Sequence, residues 1–230
     1  MAQSTPYFIR YSFFKAEPGW RRLPSSERER DRGEFEAVVE EFAPRMEIQS
    51  YNLMGTRGDV DFMLWQISPT LELLQELWVR AVSTGLGAYL TMPHSFLGMT
   101  RPSPYISGHS HEGQTHHSGA IKPKGDPYLF LYPFWKTHDW YQLPMEKRQE
   151  IMNQHFAVGH RYPLVKIHTT YAFGLDDPEF VLGFESSSPE DFVRLVMELR
   201  ESSARPYTLR DTPIFTCVKA PLRECLQALG

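Results

Sequence analysis

The chain has 230 residues, of which 41% are hydrophobic, 13% aromatic and 23% charged, with a formal net charge of −4. These proportions exclude a disordered chain and supply a core for one large or two small domains, and the acidic balance argues against a general nucleic-acid binder. Two cysteines, Cys217 and Cys225, are too few for a disulfide framework, no apolar run approaches the roughly 20 residues of a membrane span, and the start MAQSTPYFIRYSFFK lacks the basic and apolar blocks of a secretion signal, so a cytoplasmic protein is expected.

In chain order, YFIRYSFF (7–14) is an apolar run of strand length. The step Leu23–Pro24 leads into a charged amphipathic helix over 25–43, proline being common at helix starts. Strands follow at 47–54 and 60–67, joined through TRGD (56–59), whose Gly and Asp suit a hairpin. A helix after Pro69 presents Leu71, Leu74, Leu77 and Trp78 on one face, and a strand at 95–100 closes the series. Residues 101–127 are rich in Pro, Gly, Ser and His and read as a long linker or lid. The same series then returns: a strand at 128–134, Leu143–Pro144 with a helix over 145–160, and strands at 164–173 and 179–185 around GLDDP (174–178). A helix after Pro189 carries Phe192, Leu195, Val196 and Leu199 on one face, and a last strand is expected at 213–218.

The return is an internal repeat. Trp20, Leu23 and Pro24 match Trp140, Leu143 and Pro144, while Gly55, Phe62 and Pro69 match Gly174, Phe180 and Pro189, always 118 to 120 residues apart. The order β-α-β-β-α-β is the ferredoxin-like plan. The expected fold class is therefore α+β: tandem ferredoxin-like repeats forming a dimeric α+β barrel, with antiparallel sheets and helices on their outer faces. The expected divisions are 1–100, a linker at 101–127, and 128–230.

Nucleotide-binding glycine motifs, G-x-S-x-G, CxxC and HExxH are all absent, and the two cysteines read as buried or idle thiols. His155 lies with Ile151 and Val158 on the apolar stripe of its helix, where an imidazole is either a satisfied core group or a metal ligand. His109, His111, His116 and His117 crowd the linker as either a polar loop, a loose metal site or a mobile base. Tyr132, Trp135, Lys136, Trp140 and Tyr141 form an aromatic cluster with one cation, either plain core or a pocket for an anionic group.

Three stretches, YLFLYPFWKTHDWYQLP, EIMNQHFAVGHRYP and VKIHTTYAFGLDDPEFVLGFE, resemble the second half of the chlorite dismutase-like superfamily, which includes the coproheme decarboxylases. The resemblance implies a haem-dependent, peroxidase-type enzyme, most specifically one that converts iron coproporphyrin III to haem b with hydrogen peroxide, the porphyrin being both substrate and cofactor. It places the haem site in 128–230 and implies a homopentamer. It makes His155 the ligand to the iron, Tyr132 the tyrosine that relays a radical to a propionate, Lys136 and Arg200 propionate contacts, and Trp140 a pocket residue. Chlorite dismutases carry arginine above the iron; here a gapless alignment puts Ile167 there, and a one-residue gap puts His168. Strand alternation sets Val165, Ile167 and Thr169 on one face and Lys166, His168 and Thr170 on the other. His116, His117 and His168 are the candidate distal bases, and Glu201 or Ser203 takes the position behind the iron ligand. Chlorite decomposition and a non-enzymatic haem carrier on the same scaffold are the alternatives.

Overall fold

The structure is a computed structural model that describes residues 6–105 and 121–230. The described residues divide into two compact units, one of residues 6–99 with 216–230, the other of residues 100–105 with 121–215. Each builds an antiparallel sheet with helices packed on it.

In the first unit, β1 (Phe8–Ala16) pairs with β3 (Phe62–Ser68) on one side and β4 (Leu90–Met99) on the other, and β2 (Glu47–Asn52) pairs with β3. Helices α1 (Ser25–Phe42) and α2 (Leu71–Val82) connect them. Alternation along β1 sends Phe14 and Ala16 towards the helices. There they meet Phe35, Val39 and Phe42 of α1 and Leu74 and Leu77 of α2 in one continuous apolar cluster. Phe14 stacks on Phe62 at 4.8 Å between ring centroids, and Phe35 stands edge-on to Phe62 at 6.1 Å. Thr70 starts α2 by accepting the Leu73 N–H at 3.3 Å, the expected use of a hydroxyl at an N-cap. Gly55 has φ +85°, the left-handed conformation that reverses the chain after β2 and that favours glycine.

The second unit repeats the plan. Strand β5 (Tyr128–Lys136) pairs with β7 (Phe180–Ser186), and β6 (Val165–Tyr171) pairs with β7. A one-turn helix α3 (His138–Gln142) and the longer α4 (Met145–Gly159) follow β5, and α5 (Pro189–Arg200) follows β7. Ser188 caps α5 through the Asp191 N–H at 3.2 Å, as Thr70 caps α2. Gly174, at φ +70°, takes the part of Gly55.

The ends of the repeats differ from the sequence expectation. The first closes with β4, which begins at Leu90, five residues before the expected strand. The second closes with a short strand, β8 (Thr208–Arg210), paired to β5 through Lys136↔Thr208. The run expected to close it is β9 (Phe215–Lys219), and β9 pairs instead with β2, Tyr51 facing Lys219. Helix α6 (Leu222–Gln227) then places Cys225 and Leu226 in the core of the first unit. Residues 216–230 therefore pack with the first repeat, so the compact units do not follow the expected 128–230 division. The physical reason is that β2 would otherwise expose an unpaired strand edge, which a β-strand from any part of the chain can cover. Both cysteines are buried and free, and burial pushes both thiols up, Cys225 to about 12.

Candidate functional site

The second unit carries most of the singled-out residues on the helix-facing side of β5. Tyr132 and Lys136 are four residues apart on one strand and share a face, about 13 Å from each other along the chain. Tyr132 is buried and stacks on Phe184 at 5.6 Å, 21° between planes. Burial pushes its phenol well up; the Asp211 carboxylate adds to this, and the Arg200 and Arg205 guanidiniums oppose it. Beside Tyr132 lies a cavity of about 180 Å³, walled by Phe192, Val196, Met197, Arg200 and Ile214. It is half-open and smaller than clefts that enclose whole drug-sized ligands, about 300–1,000 Å³.

At the end of β5 the Lys136 ammonium sits 4.2 Å from the centroid of the Trp140 ring and 5.3 Å from that of Phe134, a cation–π arrangement. Burial brings this ammonium down to about 8, against the pull of Glu179. Trp140 is itself buried on α3, edge-on to Tyr105 at 6.2 Å and tilted against Tyr207 at 5.5 Å. Glu179 holds the corner together: its Oε2 accepts the Lys136 backbone N–H at 2.7 Å and the Tyr141 hydroxyl at 2.6 Å. The first repeat has the same clip, in which Asp61 accepts the Ala16 N–H at 2.9 Å. There the carboxylate is also held by Lys15 and Arg21, at 2.7 and 3.1 Å. Glu179 and Tyr207 were not anticipated as site residues, although Glu179 lies inside the GLDDPEF stretch and the repeat gives it Asp61 as counterpart.

His155 sits on the third turn of α4, half-buried, its ring edge-on to Phe156 at 6.2 Å. Burial, then the charge of Lys136, lowers the imidazole to about 4. At neutral pH it is therefore uncharged and keeps a lone pair for a metal. Helix α4 buries only Ile151 fully, so this helix contributes little core. Ser203 donates to the side chain of Gln154, next to His155, at 2.5 Å, while Glu201 is exposed at the end of α5.

Ile167 and Val165 pack with Tyr132 and Phe184, so the helix-facing side of β6 is apolar where the gapless alignment puts the distal residue. His168 turns to the other face of β6. It is 2% exposed, with Nε2 at 2.6 Å from Glu185 Oε2. Glu185 also accepts the backbone N–H groups of Lys124 and Gly125, both at 2.8 Å. The pleat thus separates His168 from the Tyr132 side of the sheet. His109, His111, His116 and His117 lie outside the described residues. Arg200 lines the cavity beside Tyr132 and pairs with Asp211 at 2.5 Å.

Haem iron takes a neutral imidazole as a protein ligand, which His155 would supply; the porphyrin's carboxylates need cations, which Lys136 and Arg200 of the same unit would supply. The residues present fit the group.

The chain is 29% identical to a coproheme decarboxylase of Mycolicibacterium smegmatis over 225 residues, 93% of this chain and 90% of the relative. Among solved structures it superposes on a variant of the chlorite dismutase from Candidatus Nitrospira defluvii with a TM-score of 0.89 and 26% identity, covering 99% of this chain and 97% of the other. A haem-binding protein from Thermus thermophilus shares the fold, with a TM-score of 0.83 at 22% identity, over 96% of this chain and 94% of that one. The family model described as chlorite dismutase matches residues 28–220, and the chain belongs to the chlorite dismutase family.

Proposed function

We propose that this chain is a hydrogen peroxide-dependent coproheme decarboxylase, which binds iron coproporphyrin III and turns two of its propionates into vinyl groups to give haem b. The observation that carries the reading is the grouping in one unit of a neutral imidazole, an ammonium over an aromatic ring, and a buried phenol on the same strand as that ammonium. The name of the mycobacterial relative supports it.

Bound iron porphyrin would supply the oxidising power drawn from peroxide. His155 would hold the metal through the lone pair that its low pKa leaves free. Lys136 and Arg200 would each hold a propionate by a charge-assisted hydrogen bond. Trp140 would wall the Lys136 end and keep water from it. Tyr132 would relay the oxidation to the propionate arm, its burial keeping the phenol hydrogen in place until it is drawn off. Ile167 offers an apolar wall where chlorite dismutases carry arginine, which favours decarboxylation over chlorite decomposition. The distal base would come from His116 or His117, since His168 faces away. No helix among the described residues is long and apolar enough to cross a membrane; assembly as a homopentamer and a cytoplasmic location belong to the same proposal.

The test is to load the protein with coproheme, titrate with peroxide, and follow spectrum and mass. Loss of two carboxyl groups is expected. A haem carrier would bind and lose no mass, and dioxygen from chlorite with unchanged coproheme would point to the dismutase reaction; either result overturns the proposal.

A further inference from the structure

The charged groups gathered beside the Tyr132 cavity form a triad on α5 and on the chain that follows it. Arg200 closes α5 and lines the cavity. Arg205 lies in the short turn before β8, and Asp211 just after β8. A single oxygen, Asp211 Oδ2, lies 2.5 Å from Arg200 Nη1 and 2.8 Å from Arg205 Nη1. The carboxylate is the more sheltered partner, 15% exposed against 38% for each guanidinium. One carboxylate serving two guanidiniums leaves a local excess of one positive charge, and each guanidinium has five N–H donors to offer. The opposed influences of Asp211 and the two arginines on the Tyr132 phenol put the whole triad within electrostatic reach of it.

A reaction that removes a carboxylate from its cations meets a difficulty. The anion leaves and the guanidiniums stay, two like charges side by side, each 38% exposed, that repel each other once no carboxylate lies between them. We propose that Asp211 is a stand-in carboxylate: it holds the Arg200–Arg205 pair in the empty protein, yields part of it to a substrate carboxylate, and takes the pair back once that carboxylate is gone. Asp211 is thereby a specificity-determining residue, because it caps what the site gains from a carboxylate at this one position. The inference rests on the porphyrin reading above but not on iron, so metal-free porphyrins test it.

The experiment titrates wild type, Asp211→Asn and Arg205→Gln with coproporphyrin III, which has four carboxylates, and with protoporphyrin IX, which has two, by porphyrin fluorescence. Asp211→Asn is expected to bind coproporphyrin III about fivefold more tightly, the scale of a charge-assisted hydrogen bond, with a steeper dependence on salt. Its affinity for protoporphyrin IX is expected to stay within about twofold. Arg205→Gln is expected to lower the preference for coproporphyrin III about fivefold. Equal tightening for both porphyrins would mean a general field effect and overturn the proposal, as would unchanged or weaker coproporphyrin binding. Should Asp211→Asn fail to fold, Arg205→Gln decides alone, an unchanged preference overturning the inference. Wild type that binds neither porphyrin would instead remove the functional reading beneath it.

Discussion

The two repeats share one frame and fill it differently. Counting 120 residues on from β1 and α1, Phe35 stands where His155 stands, Ala16 where Lys136 stands, and Ser12 where Tyr132 stands. In the first unit these positions are closed. Phe35 and Ala16 are completely buried in the apolar cluster, and Ser12, 1% exposed, is hydrogen-bonded to Gln66 at 3.2 Å. The second unit has a smaller buried cluster around Phe130, Phe184 and Phe192, and its equivalent positions carry an imidazole, an ammonium and a phenol. Even the strand-end clip follows the change: Asp61 is neutralised by Lys15 and Arg21, whereas Glu179 meets the Tyr141 hydroxyl. The lesson is that one copy keeps the close packing while the other trades apolar volume for groups that can meet a ligand.

The sharpest way to break this comparison is to truncate the matched pair. Phe35→Ala should destabilise the protein by about 3–5 kcal/mol, since a fully buried ring is removed and leaves a cavity. His155→Ala should cost about 1 kcal/mol, less than Phe35→Ala because this ring is only half-buried, yet abolish the imidazole-ligand signature in the absorption spectrum of iron porphyrin. Denaturant unfolding and the Soret band read the two effects; equal destabilisation, or an unchanged Soret band in His155→Ala, would erase the contrast.

Next in size is Tyr132→Phe. It keeps the ring stack on Phe184 and removes only the hydroxyl, so porphyrin binding should be unchanged while peroxide-driven loss of carboxyl groups falls to background. Mass spectrometry of the porphyrin after peroxide addition checks this, and normal turnover would free Tyr132 from the role given to it.

The smallest effect is a pH dependence. Lys136 is a cation below about 8 and loses its charge above it. Affinity for coproporphyrin III should therefore be full below that pH and decline above it, and the decline should begin somewhat higher in the bound form because a carboxylate partner favours the charged ammonium. The slope should vanish in Lys136→Met, and the variant should bind about tenfold more weakly at neutral pH. His155 adds an opposite limit through stability. Its folded pKa of about 4 lies below the ordinary imidazole value near 6.5, so its contribution is complete above about 6.5 and is lost as pH falls towards 4.

Much of this protein is written in local pattern. The apolar alternation of β1 and β5, the helical spacing of Leu74 and Leu77 or of Phe192 and Leu195, the glycines at 55 and 174 and the offset of 118 to 120 residues between copies specify an α+β tandem without any knowledge of tertiary contacts. Period and turn chemistry act over a few residues, so they can be read residue by residue. The same alternation separates Ile167 from His168, but only the packing of Ile167 with Tyr132 and Phe184 decides which of the two faces the helices. The fate of the chain end is likewise a tertiary matter. A strand such as Phe215–Lys219 has no local mark that tells it which edge to cover, and it pairs with β2 rather than closing its own repeat. Asp211 between two arginines is invisible for the same reason: the contact joins the end of a helix to a residue eleven positions further on, across a short turn and β8, whose pairing with β5 only the folded chain fixes.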